Sequence, residues 1–98
     1  MLVCGGGASS GFLATSMRKA AKKKNIMMDV FARSESEIDN FKNDIDVLLL
    51  GPHLRYLVDE VNEKIAATDV KMDVIENEIY GALNGEKAVE KVLQMMGE

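Results

Sequence analysis

The run Val47-Leu48-Leu49-Leu50, stopped by Gly51-Pro52, narrows the possible folds more than any other segment. A strand with one solvated face alternates apolar and polar residues. Four consecutive large apolar residues instead require burial on both faces, as in the middle of a parallel sheet covered by helices on either side. Gly51 and Pro52 end the run because both residues disfavour a continuing strand. A strand is therefore expected over residues 45–50, with helix-connected strands around it.

The remaining sequence supplies those neighbours. Leu2-Val3 runs into Cys4 as a short apolar strand, and Gly5-Gly6-Gly7-Ala8-Ser9-Ser10-Gly11 forms a turn that opens a helix. Leu13, Met17, Ala20 and Ala21 give that helix its buried stripe. Lys22, Lys23 and Lys24 fall in its last turn, where cations complement the negative end of the helix dipole. Residues 26–32 read as a second strand, with Met27 and Met28 filling the core or a helix end. Ser34-Glu35-Ser36-Glu37 has the form of a capping box and predicts a short helix burying Ile38 and Phe41. A third helix presents Leu54, Leu57, Val58, Val61 and Ile65 on one face. Residues 70–75 form a fourth strand. A loop with Tyr80-Gly81 and Asn84-Gly85 then leads to a last helix burying Ala88, Val89, Val92, Leu93 and Met96.

Strands alternating with helices imply right-handed βαβ units and a doubly wound α/β fold. The expectation is a single domain over residues 1–98, with a four-stranded parallel sheet in the order 2-1-3-4. In that order the loops after strands 1 and 3 meet at the topological switch point, where open α/β sheets place their sites. Cys4–Gly11 and Gly51-Pro52-His53 then share one crevice.

Composition removes several classes of function. The 98 residues carry a net charge of −4, and no apolar run approaches the ~20 residues of a membrane helix, so a cytoplasmic protein is expected. One cysteine and one histidine exclude a disulfide framework, a Cys-x-x-Cys pair, and multi-cysteine or histidine-based metal sites. Residues 1–28 hold five basic side chains and no acid, whereas residues 29–98 hold seven basic and sixteen acidic ones. A net-acidic chain argues against nucleic-acid binding, and the basic cluster is best read as a solvated helix end.

Cys4 and its glycines carry the chemistry. Three glycines let backbone N–H groups converge, and the helix start adds unpaired N–H groups and a positive dipole end, which together suit an anion. A cysteine beside such donors is biased toward the thiolate and can carry a phosphoryl group. Ser9 and Ser10 add hydroxyl donors. A small buried cysteine before a flexible turn is the plainer alternative. The spacing of Gly6 and Gly11 fits a Walker loop, but Phe12-Leu13 replace the Lys and Ser/Thr that hold phosphate and Mg²⁺. A dinucleotide fingerprint from Gly5 fails at Ser10. The C-x5-R loop of low-molecular-weight tyrosine phosphatases follows the first strand of a similar fold, but Ser10 stands where Arg would be. Without that guanidinium, hydrolysis of phosphocysteine loses transition-state stabilisation, which suits a carrier.

Across nearly its whole length the chain resembles the enzyme IIB component of the lactose/cellobiose (diacetylchitobiose) class of the bacterial sugar phosphotransferase system. The segments that carry the resemblance are Leu2-Val3-Cys4 with its Gly/Ala/Ser loop, Ser16-Met17-Arg18, Val47–Pro52, and Ile79-Tyr80-Gly81. The resemblance implies that Cys4 takes a phosphoryl group from phosphohistidine on the IIA component and passes it to a sugar, of the β-linked disaccharide type, held by the membrane IIC component. It implies residues 5–11 as the phosphate-binding loop, no cofactor and no metal. Pro52, His53 and Tyr80 are expected on the crevice rim, with His53 where the family often has Gln. Nothing in the pattern demands more than a monomer. A flavodoxin-like phosphate- or nucleotide-binding module and a cysteine phosphatase stand as alternatives.

Overall fold

All four residues of the apolar run are buried, and they divide by parity. Val47 and Leu49 join Leu13, Met17, Ala88 and Val89 in one hydrophobic cluster. Leu48 and Leu50 join Ile38, Leu54, Val61 and Ile65 in another. Successive strand side chains point to opposite faces, so one sheet separates two apolar layers. The computed structural model describes residues 1–3 and 8–97, with the backbone alone for residues 8–10.

In chain order the elements are strand β1 (Leu2–Val3), helix α1 (Ala8–Lys23), β2 (Ala32–Arg33), α2 (Ile38–Phe41), β3 (Val47–Leu50), α3 (Val58–Ile65), β4 (Lys71–Val74), α4 (Asn77–Gly81) and α5 (Gly85–Met95). Short 3-10 stretches, Glu35–Glu37 and Pro52–Leu57, lead into α2 and α3. The strands lie in the order β2-β1-β3-β4, and every pair is parallel. Leu2 pairs with Ala32 on one side and Leu49 on the other, so β1 and β3 form the middle of the sheet as expected. Among the described residues no helix is long and apolar enough to cross a membrane.

Several local expectations are also met. The Ser34–Glu37 capping box forms, with the Glu37 carboxylate accepting from the Ser34 N–H at 3.4 Å, and Ile38 behind it is fully buried. Helix α1 ends at its lysines, then closes through Asn25 in the left-handed region (φ 59°), with the Ile26 N–H bonded to the Ala21 carbonyl at 2.9 Å. Such a 6→1 bond satisfies a carbonyl that the helix leaves unpaired.

Four expectations require correction. The second strand is not 26–32 but Ala32–Arg33, because β1 offers ladder partners only there. Met27, read as filling the core or a helix end, is fully exposed. Tyr80-Gly81 is not loop but the end of α4. Met96 is 44% exposed, because it caps α5 and lies beyond the turns that face the sheet.

Candidate functional site

The crevice is built at the C-terminal ends of β1, β3 and β4. The Gly51 N–H donates to the Val3 carbonyl at 2.9 Å, and the Ile75 N–H donates to the Leu50 carbonyl at 2.9 Å. Three adjacent segments therefore leave the sheet at one level. β1 leads into Cys4, β3 into Pro52-His53, and β4 into the residues before α4.

Cys4, Gly5, Gly6 and Gly7, the core of the expected site, lie outside the described residues. The segment expected as one turn through Gly11 is shorter than that: α1 begins at Ala8, so Ala8, Ser9, Ser10 and Gly11 belong to its first turn. Backbone N–H groups in a first turn have no carbonyl one turn earlier in the helix to bond, an arrangement that suits an anion. A Cβ placed on Gly11 would meet nothing within 4 Å, so that glycine is not required for space.

On the other side of the crevice, Pro52 opens a 3-10 stretch and the Leu54 N–H closes it onto the Gly51 carbonyl at 2.9 Å. Leu54 is buried beneath, and His53 stands exposed between the two. Its ring lies 5.5 Å, centroid to centroid, from that of half-buried Tyr80, tilted by 46°. The structure thus brings together Pro52, His53 and Tyr80, the three rim residues expected from the sequence. Arg55 is exposed on the same stretch.

The match to known proteins decides the family. The model of the family described as "PTS system, Lactose/Cellobiose specific IIB subunit" matches residues 1–91. The chain belongs to this family of IIB subunits. It is 35% identical over 100 residues to the galactose-specific EIIB component of Lactococcus lactis subsp. cremoris, covering 97% of this chain and 93% of that protein. The cellobiose-specific EIIB component of Lactococcus lactis subsp. lactis is equally similar, at 35% over 100 residues with the same coverage. The lactose-specific IIB domain structure from Streptococcus pneumoniae superposes with a TM-score of 0.86 at 18% identity, covering 96% of this chain and 92% of that one, which shows the shared fold. As a lactose/cellobiose-class IIB subunit, the chain takes part in sugar-specific phosphoryl transfer.

Two supports of the IIB crevice were not apparent from local sequence. The first is a clasp. Ser16 Oγ donates to the Leu83 carbonyl at 3.0 Å and accepts from the Gly85 N–H at 3.1 Å, joining α1 to the α4–α5 junction. The second is an ion cluster in which Lys91 Nζ lies 3.0 Å from Asp73 Oδ2 and 2.6 Å from Glu76 Oε1. Partial burial alone would raise the Asp73 pKa, but the Lys91 hydrogen bond and the Val74 N–H outweigh it and hold the carboxyl below its usual value. Lys91 is shifted upward because its bonds to Glu76 and Asp73 outweigh its own desolvation. Both supports flank α4 and so hold Tyr80.

The basic cluster has its own partners. Lys23 and Lys24 pair with Glu86 and Glu90 of α5 at 3.7 and 3.8 Å, and Arg18 Nε donates to the Val30 carbonyl at 2.7 Å. These contacts fit the role of helix-end cations. A cavity of about 370 Å³ lies at the opposite end of the sheet, lined by Met1, Met17, Ile26, Val47 and Met96 among others. It is remote from the crevice.

Proposed function

We propose that this IIB subunit carries a phosphoryl group on Cys4, as a single-domain monomer in the cytoplasm. In the first transfer, the Cys4 thiolate attacks the phosphorus of phosphohistidine on a IIA component, forming the S–P bond as the N–P bond breaks. In the second, a hydroxyl of a sugar bound by a membrane IIC component attacks that phosphorus. The O–P bond forms, the S–P bond breaks, and the thiolate and a proton are released. Positioning and electrostatic stabilisation supply the catalysis, and no metal or cofactor enters. Residues 5–11 form the phosphate-binding loop through their N–H groups and the Ser9 and Ser10 hydroxyls.

The observation that supports this reading is the end of β1, an inner strand that stops level with β3 and precedes α1, a sixteen-residue helix, by four residues of sequence of which Cys4 is the first. A sulfur and a helix N-terminus near such a switch point suit one anion. The sugar is of the β-linked disaccharide type, in keeping with the cellobiose-specific relative.

Incubation with phosphoenolpyruvate, the general phosphotransfer proteins and a cognate IIA component tests the proposal. Intact-mass analysis is expected to show one added phosphoryl group, absent in Cys4→Ser. A wild-type chain that stays unmodified rejects the carrier reading. Phosphate release from an aryl phosphate would point to a phosphatase instead.

A further inference from the structure

Five of the seven methionines, Met1, Met17, Met27, Met28 and Met96, line the cavity of about 370 Å³ at the end of the sheet where the strands begin. The cavity arises from the apolar stretch 26–31, all six residues of which line it. β1 pairs only with Ala32–Arg33, and before them the Leu2 N–H reaches the Phe31 carbonyl at 2.8 Å. The stretch therefore does not close against the sheet as a longer strand would. Buried Leu2, Met17 and Leu49 form the floor. Met27, fully exposed, and Met96, 44% exposed, stand at the opening. They are two of the four large apolar side chains exposed among the described residues, so exposed apolar surface is concentrated at this cavity.

Charge at the opening has one sign. Asp29, Asp44 and Asp46 line the cavity and are exposed, whereas no lysine, arginine or histidine lines it. None of the three carboxylates has a salt bridge or a side-chain hydrogen bond among the described residues. The Met1 amino group is held by the Val47 carbonyl at 2.8 Å, and burial pushes its pKa down to about 6 against the pull of Asp46. It supplies little compensating charge at neutral pH. The volume falls in the ~300–1,000 Å³ range of small-molecule pockets. It is less than one turn of an α-helix about 10 Å across would fill, too little for a docked helix. Unbranched thioether side chains adapt to varied apolar shapes.

We propose that this cavity is a binding site for a small amphiphilic amine, whose hydrocarbon body fills the methionine-lined space and whose ammonium group faces Asp29, Asp44 and Asp46. The apolar floor supplies most of the affinity, and the carboxylates at the opening select the sign of the head group. The site shares no residue with the crevice and does not depend on the phosphocysteine reading.

The test titrates the full chain, ¹³C-labelled at its methionine methyls, with octylammonium chloride at pH 7 and below its micelle concentration. Saturable shifts are expected for Met17, Met27 and Met96, and none for Met72, which packs in the other apolar layer. 1-Octanol, with the same body and no charge, should bind on the order of tenfold more weakly, and octanoate more weakly still. The double variant Asp44→Asn, Asp46→Asn should lose about tenfold in octylammonium affinity while binding octanol as the wild type does, which also shows that its cavity is intact. Met27→Ser, at a fully exposed position, should weaken amine and alcohol alike by about threefold. Methionine methyls that do not shift, octanoate binding as tightly as the amine, or wild-type amine affinity in the double variant would each overturn the proposal.

Discussion

At Gly85 one added methyl group has nowhere to go. Its Cβ would lie 2.3 Å from the Ser16 carbonyl carbon and 2.4 Å from its oxygen, both backbone atoms that cannot turn aside. Gly85→Ala is therefore expected to force α5 away from α1 and destabilise the fold by about 1–3 kcal/mol in urea titration. Ser16→Ala removes the hydroxyl that accepts from Gly85 and donates to Leu83, and a similar loss of about 1–3 kcal/mol is expected by the same measurement. Gly11 gives the contrast. It is exposed, helical and unobstructed, so Gly11→Ala should leave stability unchanged or raise it by up to about 1 kcal/mol. A loss of stability there would show that the start of α1 needs glycine for another reason. Cys4 and the glycine triplet stood out as candidates because a cysteine, three glycines and a helix start are adjacent in sequence. Ser16 was not, because its two partners lie 67 and 69 residues away and no local spacing announces them.

Elements differ in how far their own residues determine them. Strand β3 was readable because burial on both faces leaves an unbroken apolar run. Strand β2 was misplaced because apolar residues, interrupted only by Asp29, extend from Ile26 to Ala32 while the partner strand meets only the end of that stretch. Helix α4 was missed because five residues cannot sustain a helix alone. It depends on the Ser16 clasp and on Lys91, both supplied from elsewhere. The Lys91 cluster makes a pH prediction. Asp73 has its folded-state pKa depressed, so its contribution is present above about pH 4 and is lost as pH falls through the folded value. Lys91 is shifted the other way, so its contribution is present below its unfolded pKa and is lost as pH rises through the folded value. The stability difference between wild type and Asp73→Asn should thus be no more than about 1 kcal/mol at neutral pH, since Asp73 is largely exposed, and should vanish in acid. A difference that persists at low pH would assign the effect to packing.

On the scale of the molecule, the two apolar layers divide the residues of β3 between them, so neither can dissolve without exposing the other's strand. Leu49→Ala on the α1/α5 side and Leu48→Ala on the α2/α3 side should each cost about 2–5 kcal/mol. Both should lower the midpoint of one transition, with far-ultraviolet dichroism and tyrosine fluorescence unfolding together. Separate midpoints would mean that the layers melt independently. The α/β class and strand order followed from alternation along the chain, whereas the pairing of α1 lysines with α5 acids emerged only from the assembled fold. The remote cavity has a practical consequence. Met1 and Met96 line it together, so both described ends of the chain emerge at the edge of the sheet opposite His53 and Tyr80. A tether or fluorescent fusion attached beyond Met96 leaves the rim facing solution, and partner proteins can be titrated against an immobilised copy without the anchor competing for the same surface.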